Sequence, residues 1–239
     1  MGKTNERYLH SGKTLGCGQH CWERSALRVI ARLGFLVFAF SVLCRAQTQA
    51  STPTILVFNY SQASVSTIRL AEAEAGRVLG RAGFSAAWLN CPAPPSSSPQ
   101  AVCEKEQTPG EIRVRILSGH ASNRFQDSVF GFAIAPVFAS VYYESALRLA
   151  RIDNAEFEAP LILGCVIAHE IGHLLLGPNK HSAVGIMQPQ WESTQVLQIM
   201  QGALVFTEEQ SSLIRGEVQR RMKEQAGGSL AEIGAGFGY

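Results

Sequence analysis

His169 and His173 stand four residues apart, with Glu170 next to the first. On a helix that spacing stacks the two imidazoles on one face. From there both can bind one zinc ion, and Glu170 can reach a water on that metal. The chain continues Leu174-Leu-Leu-Gly-Pro178 and then Asn179-Lys-His181. Glycine suits the left-handed cap of a helix and proline cannot prolong one, so the chain turns here and His181 can return a third nitrogen. Three protein ligands and one water make the open arrangement of catalytic zinc. Such a metal takes the pKa of its water from about 16 toward about 7. Glu170 would accept that proton as the water attacks a carbonyl and pass it to the leaving amine. The expected cofactor is Zn2+ and the expected substrate is a peptide or protein.

Other readings of these residues stay open. Glu192 is an alternative third ligand, as a later glutamate is in other zinc clans, provided Gly177-Pro178 does not end the helix abruptly. Cys165, one turn before His169, is either a thiolate ligand or redox group, or a small buried core thiol. His120 lies in a polar stretch and reads as a surface histidine. A zinc-stabilised binding or structural protein without activity would use the same three histidines, but it would have no use for Glu170.

His169-Glu-x-x-His173, a glycine, a third His and then Gly185-Ile-Met187 resemble the metzincin clan of zinc endopeptidases, and the run is similar to that of small exported bacterial proteins. The likeness is close over residues 160–191 and holds elsewhere in outline. It implies peptidase activity, and it implies that Met187 lies in a tight turn beneath the metal, with 182–186 leading into it. Core packing is the other reading of Met187. The chain departs from the clan spacing: its glycine comes one residue later and its third histidine two residues later. The departure bears on His181 more than on His169, Glu170 and His173.

Several elements must position these groups. Thr54–Tyr60 is β-branched and aromatic and reads as a buried strand. Ser64–Ala82 reads as a helix with Val65, Ile68, Ala71, Ala75, Val78 and Leu79 inward, ended by Gly83. Ser85–Asn90 and the alternating Glu111–Leu117 read as strands. Val129–Ile134 and Ala139–Tyr143 read as an edge pair, and Ser145–Arg151 as a short helix. Pro160–Leu176 is a helix with proline in its first turn, apolar all round until the histidines. A final helix starts at Thr207, which with Gln210 makes a capping box. Its expected apolar face is Leu213, Ile214, Val218 and Met222, and it frays from Gly227. The fold class is α+β: a small mixed sheet packed on a backing helix and the His-bearing helix, with a short C-terminal helical subdomain.

The 239-residue chain opens with a basic stretch and the eleven-residue apolar run Leu33–Leu43. That run is too short to span a hydrocarbon core of about 30 Å. It fits the core of a secretory signal peptide over 1–46, cleaved after Ala46 or Ala50, with an uncleaved anchor as the rival. The domain then runs over 47–226, with a flexible tail over 227–239. Residues 1–46 carry seven Lys/Arg against two Glu, a surplus of five, so the +2 of the whole chain leaves about −3 for the rest. No Lys/Arg-rich stripe remains, which gives nucleic-acid binding no support. Cys17-Gly-Gln-His-Cys21 precedes the export signal and is not read as a metal site. In an exported, oxidising setting, Cys91 and Cys103 flank a proline- and serine-rich loop and are expected to pair, leaving Cys165 free. The reading is of a secreted or periplasmic monomer with no membrane span after cleavage.

Overall fold

A computed structural model of the chain describes residues 52–92, 101–119, 130–152 and 156–235. All of these belong to the unit formed by residues 51–239, distinct from a unit of residues 1–50. The expected leader, His120 and Cys17–Cys21 lie outside the described residues.

Five strands form one mixed sheet: β1 (Thr54–Tyr60), β2 (Ala87–Cys91), β3 (Glu111–Leu117), β4 (Gly131–Ile134) and β5 (Phe138–Tyr142), in the order β2-β1-β3-β5-β4. β1 runs parallel to β2 and β3, with Thr54 opposite Ala87 and Glu111, and β3 runs parallel to β5. β4 folds back antiparallel on β5, pairing Gly131 with Val141, and forms the edge of the sheet. The expected edge pair is therefore a hairpin.

Side chains alternate across a strand, which assigns the two faces. Ile55, Val57, Ile112, Val114, Ile116, Ala139 and Val141 join one large core with the helices. Leu56 points the other way and packs with Cys91 and Cys103, Phe58 and Leu89. Cys91 and Cys103 are bonded, closing the expected loop. That loop holds one turn of helix, α2 (Ala101–Glu104), where regular structure was not expected.

Helix α1 (Val65–Arg81) begins at Ser64, whose Oγ accepts the Thr67 N–H at 3.1 Å. Its buried residues include Ile68, Ala71, Ala75, Val78 and Leu79 as expected; Val65 instead points to solvent. α3 covers Tyr143–Ile152, and a 3-10 turn at Glu156–Glu158 leads into α4 (Ala159–Leu176). With that turn, α4 is long and apolar enough to cross a membrane, but 78% of its apolar window is buried within the fold. α4 lies against α1 at Gly164, where an added Cβ would stand 2.7 Å from Glu74 Cβ. Only a residue without a side chain allows so close a helix approach. Below this crossing Glu74 binds Arg77 at 2.7 and 2.8 Å, and Arg77 donates to the Gly202 carbonyl at 3.1 Å.

Two further helices follow. α5 (Ser193–Met200) was not foreseen; Glu192 is its N-cap, and the Glu192 N–H donates to Gln195 Oε1 at 2.9 Å. α6 (Glu208–Ala235) starts with the expected box: Thr207 N–H donates to Gln210 Oε1 at 3.0 Å and Gln210 N–H to Thr207 Oγ1 at 3.2 Å. The C-terminal part is not short, since α6 runs for 28 residues and passes Gly227 and Gly228, where fraying was expected. Its inner face is Ile214, Val218 and Arg221; Leu213 is exposed. The buried Arg221 donates to the Leu174 carbonyl at 2.6 Å. That carbonyl lies in the last turn of α4, where a helix has no acceptor partner of its own.

Candidate metal centre

α4 carries the two histidines to the end of the core. His169 is buried, His173 half-buried and His181 exposed. His169 Nε2 and His173 Nε2 are 3.1 Å apart, and His173 Nε2 and His181 Nε2 are 3.2 Å apart. Two nitrogens on one tetrahedral zinc, at bonds of about 2.0–2.1 Å, stand about 3.3 Å apart. The three candidate ligand atoms all lie within 4.8 Å of one another and form the one group of this kind able to hold a metal ion among the described residues.

The turn after α4 makes this convergence possible. The α4 cap is Gly177, at φ 97°, whose N–H donates to the His173 carbonyl at 3.1 Å. Asn179 takes φ 57°, a left-handed value that asparagine tolerates better than most residues. The chain then reverses through a second tight turn. Ser182 N–H donates to the Met187 carbonyl at 2.9 Å, and Ile186 N–H to the Val205 carbonyl at 2.9 Å. Gly185 has φ 76°, and a Cβ there would strike the Val205 carbonyl. Gln210, just inside α6, donates to Ser182 Oγ at 3.0 Å and fastens the turn from behind.

This turn orients the first histidine. His169 Nδ1 lies 2.7 Å from the Ile186 carbonyl. A carbonyl only accepts, so Nδ1 carries the proton and Nε2 keeps its lone pair for a metal. The Met187 side chain is fully buried, and its sulfur would be 2.7 Å from a Cβ on Gly172. Met187 therefore packs under α4 one residue before His173. The Trp191 ring meets His169 edge-on at 5.7 Å and Phe130 at 5.2 Å.

Burial pushes His169 down to about 3; burial and the neighbouring His181 push His173 down to about 4. Both rings are neutral at pH 7, the form that binds metal. Burial raises the Glu170 carboxyl to about 8. Its Oε2 is buried and bonded to no described residue. An unpaired buried carboxylate is costly, and a divalent cation close by would restore its charged form. The donor set, the spacing of the nitrogens and this orphaned oxygen together fit a zinc ion with a water beside Glu170.

Glu192 does not join the group. The helix ends at Gly177, and Glu192 is engaged in starting α5. Cys165 is fully buried and donates to Glu74 Oε1 at 3.5 Å, on the α1 side of α4. Burial holds its thiol well above the usual range, so it is a core thiol. Two contributors have no motif of their own: the Ile186 carbonyl and Gly131 of β4. A glycine within a strand pattern signals close backbone approach, and that signal was present in Phe130-Gly-Phe132.

His169, Glu170, His173 and His181 line a cleft of about 410 Å³ whose other wall is residues 130–133. A cavity of about 710 Å³, walled by Trp191 and Leu149, shares Phe130 with it.

The chain matches no protein-family model and no curated protein. It is similar in structure to a zinc-dependent peptidase from Methanocorpusculum labreanum (strain Z), with 16% identity and a TM-score of 0.48. That match covers 67% of this chain and 99% of the other.

Proposed function

We propose that the chain is an exported zinc-dependent peptidase of metzincin-like type. One observation carries this reading: a buried carboxylate with an orphaned oxygen stands beside three converging imidazole nitrogens in an open cleft. His169, His173 and His181 would hold the zinc, and Met187 would be the residue of the turn beneath it. Zinc bound there supplies a Lewis acid that makes water nucleophilic at neutral pH and offsets charge on a carbonyl oxygen.

The chain's own groups would do the rest. Glu170 takes the proton of the attacking water and delivers it to the leaving nitrogen. The Ile186 carbonyl holds His169 in one tautomer throughout. Among the described residues β4 is an edge strand beside the cleft, and an extended peptide can add to such an edge as a further strand. That favours a peptide over a compact small molecule. The Cys91–Cys103 bond and the basic-then-apolar leader support a secreted or periplasmic location, with the mature chain acting as a monomer free of the membrane.

A chelator titration, followed by peptide hydrolysis and circular dichroism together, tests the reading. Activity should vanish while the helical signal persists, because a large apolar core is built from residues other than the histidines. Unfolding in step with metal loss, in a chain that never cleaves peptides, would point to a structural metal instead.

A further inference from the structure

We propose that Gly131 is a positioning residue for Glu170: strand β4 omits one side chain so that the Glu170 carboxyl can stand in the cleft. This rests on Glu170 being the base.

Gly131 and Ala133 alternate along β4 with the exposed Phe132 and Ile134, and Gly131, Phe132 and Ala133 all line the cleft. A Cβ on Gly131 would lie 2.9 Å from both Cγ and Cδ of Glu170, and closer still to the Ser140 carbonyl of β5. Real Cβ atoms essentially never approach so closely, so something must shift. The helix has no room to retreat. On α4, Gly164 is already in near contact with Ala71 and Glu74, and Gly172 with Met187 and Phe206. Backbone hydrogen bonding to β5 holds the strand. The softest element is the Glu170 side chain, which rotates about its own single bonds. The Ser140 contact is with backbone and is relieved only by a shift of β4 against β5, so a methyl group on Gly131 would displace the carboxyl, by side-chain rotation together with that local shift, from the point where the three Nε2 atoms converge. The nearest side-chain atoms to that methyl are both from Glu170, and no ligand histidine is among them. Metal binding should be spared while proton transfer suffers.

Four zinc-loaded proteins test this: the parent, Gly131→Ala, Glu170→Gln and the double variant, each measured for kcat, KM, bound zinc and thermal midpoint. Gly131→Ala should lower kcat about 100-fold, with KM within about threefold and zinc unchanged, a loss on the scale of general acid–base catalysis. In the Glu170→Gln background the same change should alter the residual rate less than about twofold, because both act through one group. An unaffected kcat, an equal loss in both backgrounds, or loss of zinc overturns the role of Gly131. If Gly131→Ala fails to fold, adding Glu170→Ala should restore folding by removing the struck atoms; failure to do so assigns the clash to the Ser140 carbonyl and overturns the role. A parent that cleaves no peptide refutes the peptidase reading and Gly131's role with it, whereas an active parent with an unaffected variant refutes the latter alone.

Discussion

At His181 the chain spacing and the folded geometry meet. The third histidine comes late for the clan pattern, yet its Nε2 stands 3.2 Å from that of His173. The extra residues are taken up by the Gly177 cap and the left-handed Asn179. Glu192, the other candidate, is occupied as a helix cap. His181→Ala should therefore weaken zinc binding at least tenfold, while Glu192→Gln should leave zinc affinity unchanged and cost about 0.5–1 kcal/mol through α5. Competition with a metallochromic chelator reads the first, and thermal denaturation the second. The reverse order of affinities would make Glu192 the ligand. Gly172 directly precedes the ligand candidate His173. Its missing Cβ is what admits Met187 and Phe206 beneath the helix, so Gly172→Ala should destabilise by about 1–3 kcal/mol through overpacking, seen as a lowered urea midpoint. The side chains that fill this space were not legible in the sequence, because both come from later in the chain.

Among the elements, α4 was the most legible, since proline at its start and Gly-Pro at its end are strong local signals. The alternating β3 appears with the bounds its pattern gives. α5 was hidden because its N-cap is a glutamate, not one of the small polar residues that usually announce a helix. Val65 and Leu213 sit at helical spacing with their neighbours yet face water, since a period-3.6 pattern fixes a stripe but not its edges. Gly227 and Gly228 were read as an end, but glycine costs a helix only about 1 kcal/mol and does not forbid it. The anchoring of α6 was beyond sequence reasoning, because Arg221 meets Leu174 across 47 residues. Glu217 supports that contact, bonding Arg221 Nε and Arg220 at 2.8 Å. Hydrogen bonding to Arg220, with Arg221 adding to it, takes its carboxyl from 4.5 down to about 2. A depressed carboxylate stabilises the fold above its unfolded pKa and ceases to do so as pH falls through the folded one. The stability gap between the parent and Glu217→Gln should be constant above pH 4.5 and close between there and about pH 2. A gap that is unchanged at pH 2 would mean that the ion pairs contribute nothing.

At the scale of the molecule, the fold class followed from element order alone. A helix crossing between parallel strands and a terminal hairpin leave little choice of sheet. The cleft was not legible, because it forms where β4, α4 and the 177–189 turns meet. On the far face of the sheet, Leu56 packs against the Cys91–Cys103 disulfide. Joining residues twelve apart, the Cys91–Cys103 bond should contribute about 2–3 kcal/mol. Cys91→Ser with Cys103→Ser should lower the guanidinium midpoint accordingly and leave zinc binding intact, since the disulfide packs with Leu56 on one face of the sheet and the apolar residues of α4 pack on the other.

Glu170 remains the residue on which the account turns. The most direct measurement is cleavage of a peptide library by the zinc-loaded parent and by Glu170→Gln, with bound metal determined in the same samples. One zinc in each, with turnover lowered about 10²–10⁴-fold in the variant, is the predicted result. Equal cleavage by the two proteins, with equal zinc, would contradict it.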